Sequence, residues 1–138
     1  MNEEVLLYEK VGKVGKVILN RPKVRNALNQ ALVENFGDAI RRADAGPDTN
    51  VIVLCAAGDK AFTAGFDLKE SIGEPIVDVP ARRENSLMEL NNWRAIWEAK
   101  KPVLASVQGY CIGGGVWMAF LSDMIIASED AKFGEPEL

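Results

Sequence analysis

Any chemistry in this chain proceeds without imidazole, because its 138 residues include no histidine. Ser-His and Cys-His nucleophile pairs, zinc sites with imidazole ligands and the usual proton-transfer group near neutral pH are all excluded. Acid–base work falls to carboxylates, Lys, Tyr or Cys. Two stretches offer backbone groups instead of side chains. Gly113-Gly114-Gly115 follow Gln108-Gly109-Tyr110-Cys111-Ile112 at a strand-to-helix junction, and consecutive glycines there cost backbone entropy. One reason for them is that the N–H groups of a helix N-terminus are unsatisfied, carry partial positive charge, and are open to a ligand when no side chain stands in front. Close packing of the helix on a strand is the other, and spacing alone leaves both open. The second stretch is Ala64-Gly65-Phe66-Asp67, where Gly65 is free to take a positive φ and Asp67 can cap a following helix. By itself it would be an ordinary turn. A single carboxylate, Glu137, lies in the Gly134-Glu135-Pro136-Glu137 turn beyond both stretches. Two N–H donors and a base are the parts that enolate chemistry on a thioester requires.

Other readings of the glycines fail on spacing. GxGxxG needs glycines at different offsets, and GxxxxGK[ST] needs Lys where Gly109 and Gly114 are followed by Gly115. The cysteines, Cys55 and Cys111, form no CxxC pair and sit in apolar surroundings, so they read as reduced core thiols, and no metal site is expected. Lys plus Arg total 16 against 20 for Asp plus Glu, a net charge of −4, and no basic run is long enough to follow a phosphate backbone. Nucleic acid is therefore not an expected partner. Nor is a membrane, since no apolar run approaches the roughly 20 residues of a spanning helix. The acidic start, Met1-Asn2-Glu3-Glu4, lacks the basic patch and apolar stretch of a signal peptide and points to the cytoplasm.

A chain of 15.1 kDa is expected to bury about 68% of its surface, leaving ~7,100 Å² exposed, enough for one core. Val5 to Glu9 and Val14 to Asn20 read as paired strands joined at Gly12-Lys13. From Asn29, the apolar spacing of Leu32, Phe36, Ile40 and Ala43 up to Gly46-Pro47 predicts an amphipathic helix with Arg41 and Arg42 in solvent. Val51 to Cys55 and Val103 to Val107 are short enough and apolar enough to be strands buried on both faces. Between the first of these and Leu68 lies a long loop of small residues, and Ser71 to Pro80 read as a surface excursion. A helix from Pro80 to Ala99 should bury Leu87, Leu90, Trp93 or Arg94, and Trp97, and should end at Lys100-Lys101-Pro102. An apolar helix from about Gly114 to Leu121 and a strand from Met124 to Ala127 complete the series. Strands alternate with helices, without a detectable sequence repeat or flexible linker, which predicts a single α/β domain.

Several motifs occur together and in order: Leu19-Asn20-Arg21-Pro22, Asn26-Ala27-Leu28, Ala61-Phe62-Thr63-Ala64-Gly65-Phe66-Asp67-Leu68-Lys69, Pro102-Val103-Leu104-Ala105, Gly109-Tyr110 with Gly113-Gly114-Gly115, and Ala131-Lys132-Phe133-Gly134 with Pro136-Glu137. The set covers nearly the whole chain and resembles the crotonase superfamily, the enoyl-CoA hydratase and isomerase family. The resemblance implies a spiral of ββα units, with residues 1–138 as a core domain cut short before the family's C-terminal helical region. It implies an acyl-CoA thioester as partner, coenzyme A arriving as part of the substrate with no separate cofactor, and a homotrimer or hexamer for the intact parent.

Carried over by position, the resemblance assigns the backbone N–H groups of Phe66 and Gly114 to an oxyanion hole. Ala64, Phe66, Asp67, Leu68 and Lys69 then line the substrate site, and Lys23, Val24 and Arg25 lie near the CoA moiety. Glu137 matches the second of the family's two hydratase glutamates and would act as the base. The first falls two residues beyond the glycine triplet, where this chain has Trp117, a side chain that cannot transfer a proton. A lone carboxylate at the Glu137 position is similar to the family's simpler isomerases, with Glu135 and Asp130 as nearby substitutes for the missing acid. Trp117 would shape the acyl pocket or serve as a core aromatic. Because family members are about twice as long, a truncated, poorly soluble chain of low activity is expected. The function implied is hydration, dehydration or double-bond isomerisation of enoyl-CoA. Thioester hydrolysis, decarboxylation and a non-catalytic acyl-CoA-binding or assembly module are the alternatives.

Overall fold

A computed structural model describes residues 4–71 and 79–136. Strands β1 (Leu6–Val11) and β2 (Val14–Leu19) pair antiparallel from Leu6 opposite Leu19 to Val11 opposite Val14. The turn between them holds Gly12 at φ +59°, a conformation glycine takes without a Cβ clash. A 3-10 turn at Pro22–Val24 leads to helix α1 (Gln30–Ala45), whose N-cap is Asn29: its side chain accepts from the Leu32 N–H at 3.1 Å. Leu32, Phe36, Ile40 and Ala43 are fully buried, as their spacing requires.

The remaining strands come in pairs. β3 (Val51–Ala56) precedes β4 (Ala61–Thr63), β5 (Val103–Val107) precedes β6 (Tyr110–Ile112), and β7 (Met124–Ala127) precedes β8 (Lys132–Gly134). The first member of each pair joins a five-stranded sheet of order β1-β2-β3-β5-β7, and the second joins a three-stranded sheet of order β4-β6-β8. Helices α2 (Leu68–Ser71) and α3 (Val79–Trp97) return the chain from β4 to β5, and α4 (Gly114–Leu121) returns it from β6 to β7. The result is a spiral of ββα turns, the architecture expected from the motif order. Val17, Leu19, Ile52, Leu54 and Ala105 from the large sheet pack with α1 in one core.

Two expectations need correction. The small sheet was not anticipated; β4 lies inside what the sequence presents as a loop. Its strands are only three residues long and all of β4 is buried, so no alternation can show. The buried stripe of α3 is also rotated from the expected one. Trp93 is buried as expected, together with Asn92, Ala95 and Ile96, whereas Leu87, Leu90 and Trp97 are 55%, 53% and 75% exposed. The cause lies on α1: a Cβ on Gly37 would fall 2.4 Å from Asn92 Oδ1, so the helices cross where glycine leaves room and the polar Asn92 fills it. Of the expected excursion at Ser71 to Pro80, α2 takes Ser71 and α3 begins at Val79, while 72–78 lie outside the described residues.

The accessible surface is 8760 Å², above the ~7,100 Å² expected for this mass. Trp97 on α3, Phe120 on α4, and Met124 and Ile126 on the sheet-edge strand β7 are each more than half exposed. No helix among the described residues is long and apolar enough to cross a membrane.

Candidate functional site

Phe66 follows the small sheet on a short extended segment paired parallel with Leu28. The Leu28 N–H donates to Gly65 O at 2.8 Å and the Asp67 N–H donates to Leu28 O at 3.0 Å. Successive amides of an extended strand point to opposite edges, so the Phe66 N–H faces away from Leu28. Among the described residues it donates to no backbone carbonyl.

Polar side chains fix this segment. Asp67 accepts from Arg21 Nη1 at 2.9 Å, an ion pair whose side chains are 11% and 18% exposed, and from the Lys69 N–H at 3.2 Å, which is the capping role its position suggested. The same guanidinium donates to Ala27 O at 2.6 Å. Asn26, 1% exposed at φ +53°, accepts from the Arg21 N–H at 2.8 Å and donates to Ala57 O and Ala61 O, both at 2.9 Å. It bridges the start of the loop, its own turn and the entry to β4. The Ala64 N–H donates to Arg25 O at 3.0 Å, which closes the frame. Asn26 and Arg21 stand in motifs that carry the resemblance, but the sequence assigns them no role. The available signal was that Asn tolerates a left-handed conformation better than most residues.

The glycine junction is fixed by contact. Gly113, at φ +53°, donates to Gly134 O at 2.9 Å. A Cβ on Gly115 would lie 2.3 Å from Thr63 Cγ2, and one on Gly114 would lie 2.8 Å from Leu28 Cδ1 and 3.2 Å from Phe66 Cε2. The packing reason for the triplet therefore holds. The Gly114 N–H opens α4 and, like any first helical amide, has no intrahelical acceptor. The two regions also run close together: at Gly65, φ +87°, a Cβ would be 3.2 Å from Ile112 O and 3.9 Å from Gly113 Cα. The residues after Gly65 and Gly113 are Phe66 and Gly114.

Trp117 is 43% exposed and is not a core aromatic. Its ring meets Phe66 edge-on with centroids 6.2 Å apart, Phe66 meets Trp93 at 6.5 Å, and Trp93 meets Phe36 at 5.4 Å. Leu68 and Lys69 lie exposed on α2. Of the cationic loop, Arg25 lines a cleft with Asp59, Lys60, Tyr110, Asp130 and Lys132, whereas Lys23 lines a groove beside β1 and α1. Val24 is 41% exposed. Asp130 thus faces Arg25's cleft, and Glu137 lies outside the described residues. A cavity of about 370 Å³ opens beside Phe66 between α1, α2 and α3, lined by Leu28, Val33, Phe66 and Met88 and by the acids Glu34, Asp67, Glu70 and Glu89. Burial pushes the Glu89 carboxyl above the ordinary glutamate value. Sequence reasoning did not select Glu89, since it lies in a stretch of α3 whose inward face was misjudged. Among the described residues there is no cluster of three acidic, Cys or His side chains able to hold a metal ion.

Residues 9–138 match the family model described as enoyl-CoA hydratase/isomerase. The chain is 43% identical to a probable enoyl-CoA hydratase of Rhizobium meliloti (strain 1021), covering 100% of this chain and 51% of that protein. It is 39% identical to the mitochondrial enoyl-CoA hydratase of Pongo abelii, covering 99% of this chain and 46% of that one. A crystal structure of an enoyl-CoA hydratase/isomerase from Xanthobacter autotrophicus Py2 superposes with a TM-score of 0.91 at 36% identity, covering 97% of this chain and 49% of the other. The chain spans about half the length of the relatives it matches.

Proposed function

The chain belongs to the enoyl-CoA hydratase/isomerase family, and from that premise we propose that its protein acts on acyl-CoA thioesters by holding the thioester oxygen on the Phe66 and Gly114 N–H groups. The observation that carries this reading is the close approach of the two segments: a Cβ on Gly65 would lie 3.2 Å from Ile112 O, and the next amide on each side has no backbone acceptor among the described residues. As the α-carbon loses or gains a proton, negative charge grows on that oxygen, and one placed donor is worth ~2.7 to 4 kcal/mol to such a transition state. Backbone donors leave the side chain at position 66 free to vary.

The reaction is hydration, dehydration or double-bond isomerisation of an enoyl-CoA, with Glu137 as the base that moves the proton. Ala64, Asp67, Leu68 and Lys69 border the acyl-thioester site, and Lys23, Val24 and Arg25 lie towards the phosphates of CoA. Coenzyme A enters as part of the substrate without a separate cofactor, the protein acts in the cytoplasm, and the intact parent assembles as a trimer or hexamer. A binding or assembly module without catalysis is the second reading, favoured by the indole of Trp117 where the resemblance places a carboxylate.

Thermal stabilisation by CoA thioesters tests the donors. Gly114→Pro removes one N–H and should abolish the stabilisation, whereas Phe66→Leu keeps its N–H and should retain it. Equal stabilisation of wild type and Gly114→Pro would overturn the assignment. Turnover that disappears in Glu137→Gln would eliminate the module reading.

A further inference from the structure

The large sheet has two faces, and its own helices cover one. Strands β2, β3, β5 and β7 run parallel, and successive side chains of a strand point to opposite faces. Val17, Leu54, Ala105 and Ile125 stand opposite one another across the four strands and face the core, where the buried residues of α1 and α4 also lie. The residues between them make the second face. Lys16, Val53, Leu104 and Met124 form one row, and Ile18 opposite Cys55 and Ser106 opposite Ile126 form the next. None of these residues belongs to the core, and among the described residues the face carries no helix. Apart from Lys16 and Ser106, both rows are apolar, and on β7 Met124 and Ile126 are 58% and 56% exposed. Parallel sheets are almost always covered on both faces, and strands apolar on both sides are the sequence mark of that burial.

The spiral does not supply the cover. Each turn adds its first strand to the sheet and its helix to the core side, so a further turn would widen the second face and leave it open. Charge favours a like surface. Glu9 on β1 stands opposite Lys16, and these are the only charged residues on the face, which is therefore neutral in a chain of net charge −4. The accessible surface of 8760 Å² exceeds the folded expectation by ~1,700 Å², about twice what one partner gives to a standard interface. We propose that a second copy of this chain covers the face, the two large sheets packing against each other about a two-fold axis. Such pairing uses the same patch on both partners and closes on itself, with side chains of both sheets filling a layer ~10 Å thick. β3 is the central strand of the five, so Cys55 lies within the covered area. The pairing is independent of the thioester reading above.

The test measures mass by sedimentation equilibrium over a dilution series, with alkylation of Cys55 followed in parallel by mass spectrometry. The wild-type chain should sediment at twice its 15.1 kDa and dissociate on dilution, with Cys55 alkylation quickening as it does. Val53→Glu puts an acid opposite Lys16, which suits the free sheet and not an apolar contact, and should raise the dissociation constant at least about 100-fold. Ile126→Glu, at an exposed position, should do the same with an unchanged far-UV circular dichroism spectrum. Phe120→Ser, an exposed change on α4, should leave the dimer intact. A wild-type chain that is monomeric throughout would overturn the proposal, as would Cys55 alkylation independent of concentration. So would an assembly of any size that both glutamate variants leave unchanged, or one that only Phe120→Ser dissociates.

Discussion

The Phe66 and Gly114 amides lie on neighbouring segments but are positioned by different means. Phe66 is held by polar side chains acting at long range: Asn26 reaches Ala57 and Ala61, 31 and 35 residues away, and Arg21 reaches Asp67 across 46. Gly114 is held by lack of room, with Leu28 and Phe66 on one side and Thr63 against the next glycine. Hydrogen bonds fix direction and fail when a partner is removed. Tight packing fixes distance and fails when atoms are added. The same site should therefore be sensitive to deletion on one side and to insertion on the other.

The largest effect is expected at Asn26. Asn26→Ala strands the Arg21 N–H and the carbonyls of Ala57 and Ala61 and should lower unfolding free energy by about 3 kcal/mol or more, read by urea denaturation. Asn26→Gly, which suits φ +53°, separates strain from bonding; near-complete recovery in that variant would mean strain dominates. On the packed side, Gly115→Ala should destabilise by about 1 to 3 kcal/mol through overpacking. Adding Thr63→Ser removes the Cγ2 that the new methyl meets and should restore part of the loss, whereas strict additivity would show that the two residues do not oppose each other. Asp67→Asn should come next, at about 1.5 kcal/mol, by weakening a charged hydrogen bond while leaving its shape.

The smallest effect is a pH dependence at the cavity wall. Because folding raises the Glu89 proton affinity, the folded chain binds more protons than the unfolded one between the two pKa values, so this group's stability contribution is complete below the unfolded value and declines as pH rises through the folded one. Glu89→Gln should be indistinguishable in acid and more stable than wild type above the ordinary glutamate range, measured by denaturation across pH. A variant less stable at neutral pH would mean that the carboxylate has a stabilising partner in the folded chain.

Much of this arrangement was legible in the sequence, and the losses have a common cause. β2, β3 and β5 were visible as apolar or β-branched runs, and α1 through the spacing of Leu32, Phe36 and Ile40 behind Asn29. Those signals are local. The three-residue strands of the small sheet are too short to carry a period, and the inward face of α3 was decided by Gly37 on another helix. Of the site residues, the resemblance supplied Phe66 and Gly114 by position, and the fold set their segments against each other. Asn26 was visible as a motif residue, but its bridging role stayed hidden because its partners are distant in the chain, and Glu89 was passed over because a carboxylate becomes unusual only through what surrounds it.

Cys111, at the centre of the small sheet, is fully buried, and burial pushes its thiol up to about 12. Since only a thiolate reacts readily with alkylating reagents, almost none is available at pH 8 until the sheet separates. Its labelling rate therefore counts excursions of the strands that carry the site. A bound thioester would be seen as a slower clock, with no need to observe turnover.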